Sequence, residues 1–210
     1  MTNNEKIEIF KEYVKAIETP VIKEFVNYVL PRLPEYFWTL PASTTGVHHG
    51  EDETLFDHVV ACLFVAKNKV CGAQFKNHWS QVKKDQLLAA LMLHDGWRCG
   101  HPEKESYITQ EMIDEKKLDQ NLLGNLKSSR DHADVGYQQL NMIAKELHGC
   151  IPEELLDILQ AVRYHYGPFL KLDKPFSLSW PYDSVIIQCH NIDCMQNWNY
   201  GYFTRGNNES

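Results

Sequence analysis

The pair His94-Asp95 stands at the end of the apolar run Leu87-Leu88-Ala89-Ala90-Leu91-Met92-Leu93, immediately before Gly96. An imidazole and a carboxylate side by side in a greasy helix cost free energy unless something binds them. A divalent metal is the usual solution, because it takes deprotonated nitrogen and oxygen donors. His58 lies upstream of the pair, and His132, His165 and Asp193 lie downstream. Positions 58, 94, 132, 165 and 193 are separated by 36, 38, 33 and 28 residues, spacings that suit one donor set per helical hairpin. The order H…HD…H…H…D therefore makes a metal centre the first chemistry to consider.

The elements that must position these side chains read as helices almost throughout. Ile7, Phe10, Val14 and Ile17 form one amphipathic stripe. Thr19-Pro20 reads as an N-cap and first helical position, and Val21, Ile22, Phe25, Val26 and Val29 continue that helix until Pro31 and Pro34 stop it. Leu40 to Glu53 reads as a loop. A helix follows from Thr54 to about Val70, with Leu55, Val59, Cys62, Leu63 and Ala66 on one side. Ser80 is expected to cap a helix running to Asp95, with a turn-rich loop from Gly96 to about Ser106. Ser128 or Ser129 opens a helix carrying Val135, Leu140, Ile143 and Leu147, which Gly149 ends. Pro152 starts the next, with Leu155, Ile158, Leu159 and Val162 inward, and Gly167-Pro168 ends it. Asp183 is expected to cap a last helix through about Trp198. The expectation is an all-α globule of about seven to nine helices. Residues 1–39 would be a helical extension packed on the core, 40–200 the main domain, and 201–210 a polar tail.

Every candidate donor falls on the apolar side of its helix. His58 is three residues after Leu55, His132 three before Val135, His165 three after Val162, and Asp193 three after His190. A single histidine on such a face is more often a satisfied core residue, and His78, His101 and His148 are read that way or as surface groups. Several inward His and Asp residues on separate helices share no structural purpose except a common ion or polar site.

Composition narrows the function classes. The formal net charge is −7 and the pI near 5.8, so the basic surface that grips nucleic acid non-specifically is missing. That favours a small phosphorylated substrate over a long polyanion. No apolar run approaches the roughly 20 residues of a membrane span, and the N-terminus lacks a signal-peptide pattern. The six cysteines form no CxxC pair and read as reduced thiols of a cytoplasmic protein. A homo-oligomer is compatible with all of this.

The ligand series resembles the HD superfamily of metal-dependent phosphohydrolases over roughly Leu40 to Trp198. The core motif stands as Leu91-Met92-Leu93-His94-Asp95-Gly96, with the preceding His matched by His58 in Leu55-Phe56-Asp57-His58-Val59-Val60 and the closing Asp by Asp193 in His190-Asn191-Ile192-Asp193. The resemblance implies a first metal position of His58, His94, Asp95 and Asp193. Members with two ions add two histidines, matched by His132 and His165, with Asp95 bridging. The implied cofactor is a pair of divalent ions, Fe, Mn, Co, Ni or Mg, which lower the pKa of a shared water. The implied activity is hydrolysis of a phosphoester or phosphoanhydride bond of a nucleotide. Alternatives within the family are a single-stranded DNA or RNA exonuclease and a diiron oxygenase.

The stretch Leu40-Pro41-Ala42-Ser43…His48-His49 is similar to the segment before the first ligand in HD domains of some exoribonucleases, relaxases and phage-encoded proteins; a phage protein would act in the host cytoplasm. Arg98 stands where many members carry a Lys or Arg. Glu51-Asp52-Glu53-Thr54 replaces the usual double glycine, an acidic rim that argues against a long polyanionic substrate. Asp95, Arg98 and His49 are the candidate catalytic residues. Arg98, Trp97, Arg130 and Tyr166 are the candidate substrate contacts, the guanidinium groups for phosphate and the rings for a base. Arg163 is a further phosphate candidate, and Asp131 or Asp134 could orient a ligand histidine.

Overall fold

The computed structural model describes residues 2–39, 54–71, 79–98, 132–167, 181 and 184–194. Within them the expected all-α fold is found: helices and turns, with no strand. The helices are α1 (Asn3–Lys15), α2 (Pro20–Val29), α3 (Leu55–Cys71), α4 (Gln81–Leu93), α5 (His132–His148), α6 (Glu153–Tyr164) and α7 (185–194). Two short 3-10 turns, Leu30–Arg32 and Glu35–Trp38, follow α2. The expected loops at 40–53 and 99–106, the cap at Ser128 or Ser129, and the tail lie outside the described residues.

Helix α4 is the central element. It packs between α3 and α6, α6 packs also on α5, and α2 lies across α4, α5 and α6. Every residue of α4 from Asp85 to Leu93 is buried. A helix that is apolar all round belongs in the middle of a core, where each face meets a neighbour. That explains why Leu87 to Leu93 shows no polar stripe.

The first two helices share this core. Phe10, Phe37, Trp38 and Phe56 form an aromatic cluster with neighbouring ring centroids 5.0–6.0 Å apart. It joins α1, the second 3-10 turn and the start of α3, two residues before His58. The buried Lys6 donates its Nζ to the Trp38 carbonyl, which ties α1 to the same turn.

Capping differs from expectation at two places. The Thr19 side chain does not cap α2; its hydroxyl donates to Asp85 Oδ2 at 2.7 Å. The same oxygen accepts from the backbone N–H of Glu18 at 3.0 Å and of Thr19 at 2.7 Å, while Gln81 Nε2 donates to Asp85 Oδ1 at 2.8 Å. A buried carboxylate on the central helix outcompetes the local cap because it satisfies several donors at once. Replacing Asp85 with alanine strands two backbone N–H groups, and we expect a loss of about 2–4 kcal/mol in denaturant unfolding. A loss below about 1 kcal/mol would show that water takes over these donors.

Helix α4 ends at Leu93, two residues earlier than its expected end at Asp95. Gly96 lies in the turn that follows, against Leu33: a Cβ on Gly96 would stand 2.8 Å from Leu33 Cδ2, so a side chain there would force Leu33 to move. The early stop makes His94 the C-cap and places Asp95 in the following turn.

Candidate metal centre

Local structure delivers each side chain. At the start of α3, Thr54 and Asp57 cap reciprocally: Thr54 N–H and hydroxyl donate to Asp57 Oδ2 at 2.9 and 2.7 Å, and Asp57 N–H donates to Thr54 Oγ1 at 3.3 Å. Asp57 is thereby committed to the helix end, and its neighbour His58 turns into the core.

His94 and His165 use one device twice. Each is the C-cap of its helix, α4 or α6, where the last carbonyls lack intrahelical partners. His94 Nδ1–H donates to the Leu91 carbonyl at 2.8 Å, and His165 Nδ1–H donates to the Val162 carbonyl at 2.7 Å. A carbonyl only accepts, so Nδ1 carries a proton in both rings and Nε2 is the nitrogen turned inward. Backbone carbonyls thus orient these rings. Asp134, one of the carboxylates read from sequence for that role, instead accepts from Arg163 Nε at 3.0 Å and from Gln138 Nε2 at 2.8 Å. It fixes Arg163, a phosphate candidate, within an ion pair. Asp131 lies outside the described residues.

Helix α7 starts with the Ser184 hydroxyl accepting from Ile187 N–H at 3.2 Å; the expected cap Asp183 lies outside the described residues. It docks through His190, whose Nδ1 donates to the His165 carbonyl at 2.7 Å. The imidazole of His190 sits where a side chain on Gly167 would be: a Cβ there would lie 2.3 Å from the ring, and Gly167 has φ +62°. Glycine is needed on both counts. One turn of α7 beyond His190, Asp193 enters the site.

Six side chains meet there: His58, His94, Asp95, His132, His165 and Asp193, all buried. His58 Nε2 lies 3.0 Å from Asp193 Oδ1 and 3.4 Å from His94 Nε2, and His94 Nε2 lies 3.6 Å from Asp193 Oδ1. On the other side, His132 Nε2 lies 3.0 Å from His165 Nε2. Asp95 stands between these groups. Its Oδ2 faces His94 Nε2 at 3.6 Å and His58 Nε2 at 3.9 Å; its Oδ1 faces His132 Nε2 at 3.3 Å and His165 Nε2 at 3.6 Å. Arg98 reaches Oδ2 at 2.6 Å.

The electrostatics suit a cation. Burial raises the Asp95 pKa, but the Arg98 guanidinium and His94 outweigh it and hold the carboxyl well below the usual range. For Asp193, burial is likewise outweighed, there by the His58 and His94 rings beside it. Burial lowers the pKa of His58 and His165. At His94 burial is opposed by Asp95 and Asp193, which lift its pKa to about 9. Two ionised carboxylates therefore draw positive charge to one spot.

Divalent ions fit these residues. Asp95 Oδ1 is buried and, among the described residues, finds no hydrogen bond of good geometry; what faces it are two imidazole nitrogens. Two sets of donor atoms each lie within 4.8 Å of one another: His58, Cys62, His94 and Asp193, and Asp95, His132 and His165. Donors bound to one ion at about 2.0–2.3 Å and tetrahedral angles stand about 3.3–3.6 Å apart, close to most of these separations.

The remaining candidates fall elsewhere or beyond view. Tyr166 is half-buried, its ring edge-on to His132 at 5.2 Å between centroids. Trp97 is 3% exposed and packs within the apolar core, so no open ring face is left there for a base to stack on. His49 and Arg130 lie outside the described residues. Cys62 was legible only as an apolar-face residue; its signal was the four-residue spacing from His58.

No protein-family model matches the chain, and no solved structure matches it at a significant level. Among curated proteins it is similar to the 3'-5' exoribonuclease YhaM of Geobacillus sp. (strain WCH70), with 27% identity over 170 residues. The match covers 80% of this chain and 45% of the relative, so the chain spans less than half the length of that protein. No described helix is long and apolar enough to cross a membrane.

Proposed function

We propose that the protein is an HD-superfamily phosphohydrolase that uses two divalent ions to cleave a phosphoester or phosphoanhydride bond of a nucleotide. The observation that carries this reading is the division of the Asp95 carboxylate, with one oxygen toward His58 and His94 and the other toward His132 and His165. His58, His94, Asp95 and Asp193 would hold the first ion; Asp95, His132 and His165 would hold the second, from Fe, Mn, Co, Ni or Mg. When bound, the ions activate a water and take up charge on the phosphoryl oxygens. The chain's own contribution is placement. The carbonyls of Leu91 and Val162 hold Nδ1 of His94 and His165 and so turn Nε2 of each ring toward the ions, and Arg98 keeps Asp95 ionised. Arg98, 23% exposed along its side chain, also stands at the edge where a phosphate would arrive, with Tyr166 nearby on the His132 side. His49 and Arg130 complete the proposed substrate contacts.

A second reading, a 3'-5' exonuclease on single-stranded RNA, is favoured by the similarity to the 3'-5' exoribonuclease. The acidic balance of the chain favours the nucleotide. One experiment separates them. Protein purified without chelator is assayed with Fe, Mn, Co, Ni or Mg in turn against a nucleotide panel and against single-stranded RNA labelled at its 5' end. Phosphate or nucleotide release from one nucleotide class, with intact RNA, is the expected result. A ladder of RNA shortened from the 3' end establishes the exonuclease. No turnover of either substrate with any of the five metals would sink both.

A further inference from the structure

We propose that Cys62 is a ligand to the first ion, making that position a mixed nitrogen, oxygen and sulfur site that prefers a softer metal than the second. The inference rests on the two-ion reading and goes beyond it, since the resemblance supplies only His and Asp ligands. Cys62 lies one turn after His58 on α3 and is fully buried. Its Sγ stands 3.7 Å from His58 Nε2, the same nitrogen that faces Asp193 and His94. Four donor atoms, from His58, Cys62, His94 and Asp193, lie within 4.8 Å of one another. Sulfur and nitrogen bound to one ion at about 2.3 and 2.0–2.1 Å, at tetrahedral angles, stand about 3.5 Å apart, near the observed separation.

The second group, Asp95, His132 and His165, contains no sulfur. Thiolate favours zinc and similar borderline ions, whereas carboxylate and imidazole alone also accept manganese. The two positions therefore differ in softness: the first selects Co, Zn or Fe, and the second admits Mn or Mg. A buried cysteine is otherwise simply a small apolar residue. That alternative predicts no sulfur–metal bond.

The test is the near-ultraviolet thiolate-to-cobalt charge-transfer band of the full chain loaded with Co(II), read beside cobalt content and helical circular dichroism. Wild-type protein should bind cobalt and show the band. Cys62→Ser should remain helical, lose the band and bind cobalt more weakly by at least the roughly 10–100-fold that loss of a supporting partner costs, with far less change for manganese. Cobalt bound to the wild type without the band overturns the proposal, and that result needs no variant. A band that survives in folded Cys62→Ser overturns it too, pointing to Cys189 or Cys194, which flank His190 and Asp193 on α7. A wild-type chain that binds no cobalt removes the metal reading itself, an outcome distinct from both. If Cys62→Ser does not fold, Cys62→Ala takes its place in the same comparison.

Discussion

Asp95→Asn protein will keep its helices and lose most of its metal and its turnover. Asp95 faces both donor groups, at 3.6 Å from His94 Nε2 through Oδ2 and 3.3 Å from His132 Nε2 through Oδ1. Asparagine keeps the shape but removes the charge that balances the ions. With several kcal/mol of charge stabilisation lost, and 1.36 kcal/mol for each tenfold in rate, turnover should fall on the order of 10³-fold or more. Asparagine is preferred to alanine because alanine would also leave the Arg98 guanidinium, now 2.6 Å from Oδ2, without its partner. Breaking a buried pair in that way costs about 3–5 kcal/mol and would confuse a folding defect with a metal defect. Metal analysis and circular dichroism on the same sample decide the matter. Full metal content in folded Asp95→Asn would mean that Asp95 does not bridge.

The second large effect is selective. His132→Ala should reduce the metal from about two equivalents to about one and leave the first ion in place. His132 belongs to the second group: its Nε2 lies 3.0 Å from His165 Nε2 and 3.3 Å from Asp95 Oδ1. The first group, on α3, α4 and α7, does not depend on it. His165→Ala should do the same, though with more disturbance, because the His165 ring also packs against His94 at 5.0 Å and its carbonyl holds His190. Two equivalents retained in both variants would place the second ion elsewhere. Zero in both would mean that the two groups bind as one.

The helices were legible because their apolar faces recur with helical period, and burial of those faces decides most of a small all-α fold. Ser80 was readable as a cap because its hydroxyl meets a donor three residues on, the backbone N–H of Lys83 at 3.3 Å. The cap at Thr19 was misread for a matching reason. The group that takes up its backbone and hydroxyl is Asp85, 66 residues away, and local pattern contains nothing of it. Helix α4 ends two residues before the expected Asp95, and in the turn that follows Gly96 lies against Leu33, again a contact between distant segments.

The site divides along the same line. From the sequence alone, His58, His94, Asp95, His132, His165 and Asp193 are chemistry-bearing residues on the inward faces of separate helices, since side-chain type and spacing are local properties. Only the tertiary structure decided which atoms meet. It turned the two oxygens of Asp95 to opposite groups, made the Leu91 and Val162 carbonyls the partners of His94 and His165, and buried Trp97 within the core. It also brought the sulfur of Cys62 to the His58 ring. The physical reason is that such contacts depend on how whole helices pack, to within an ångström, and packing is a property of all the faces at once.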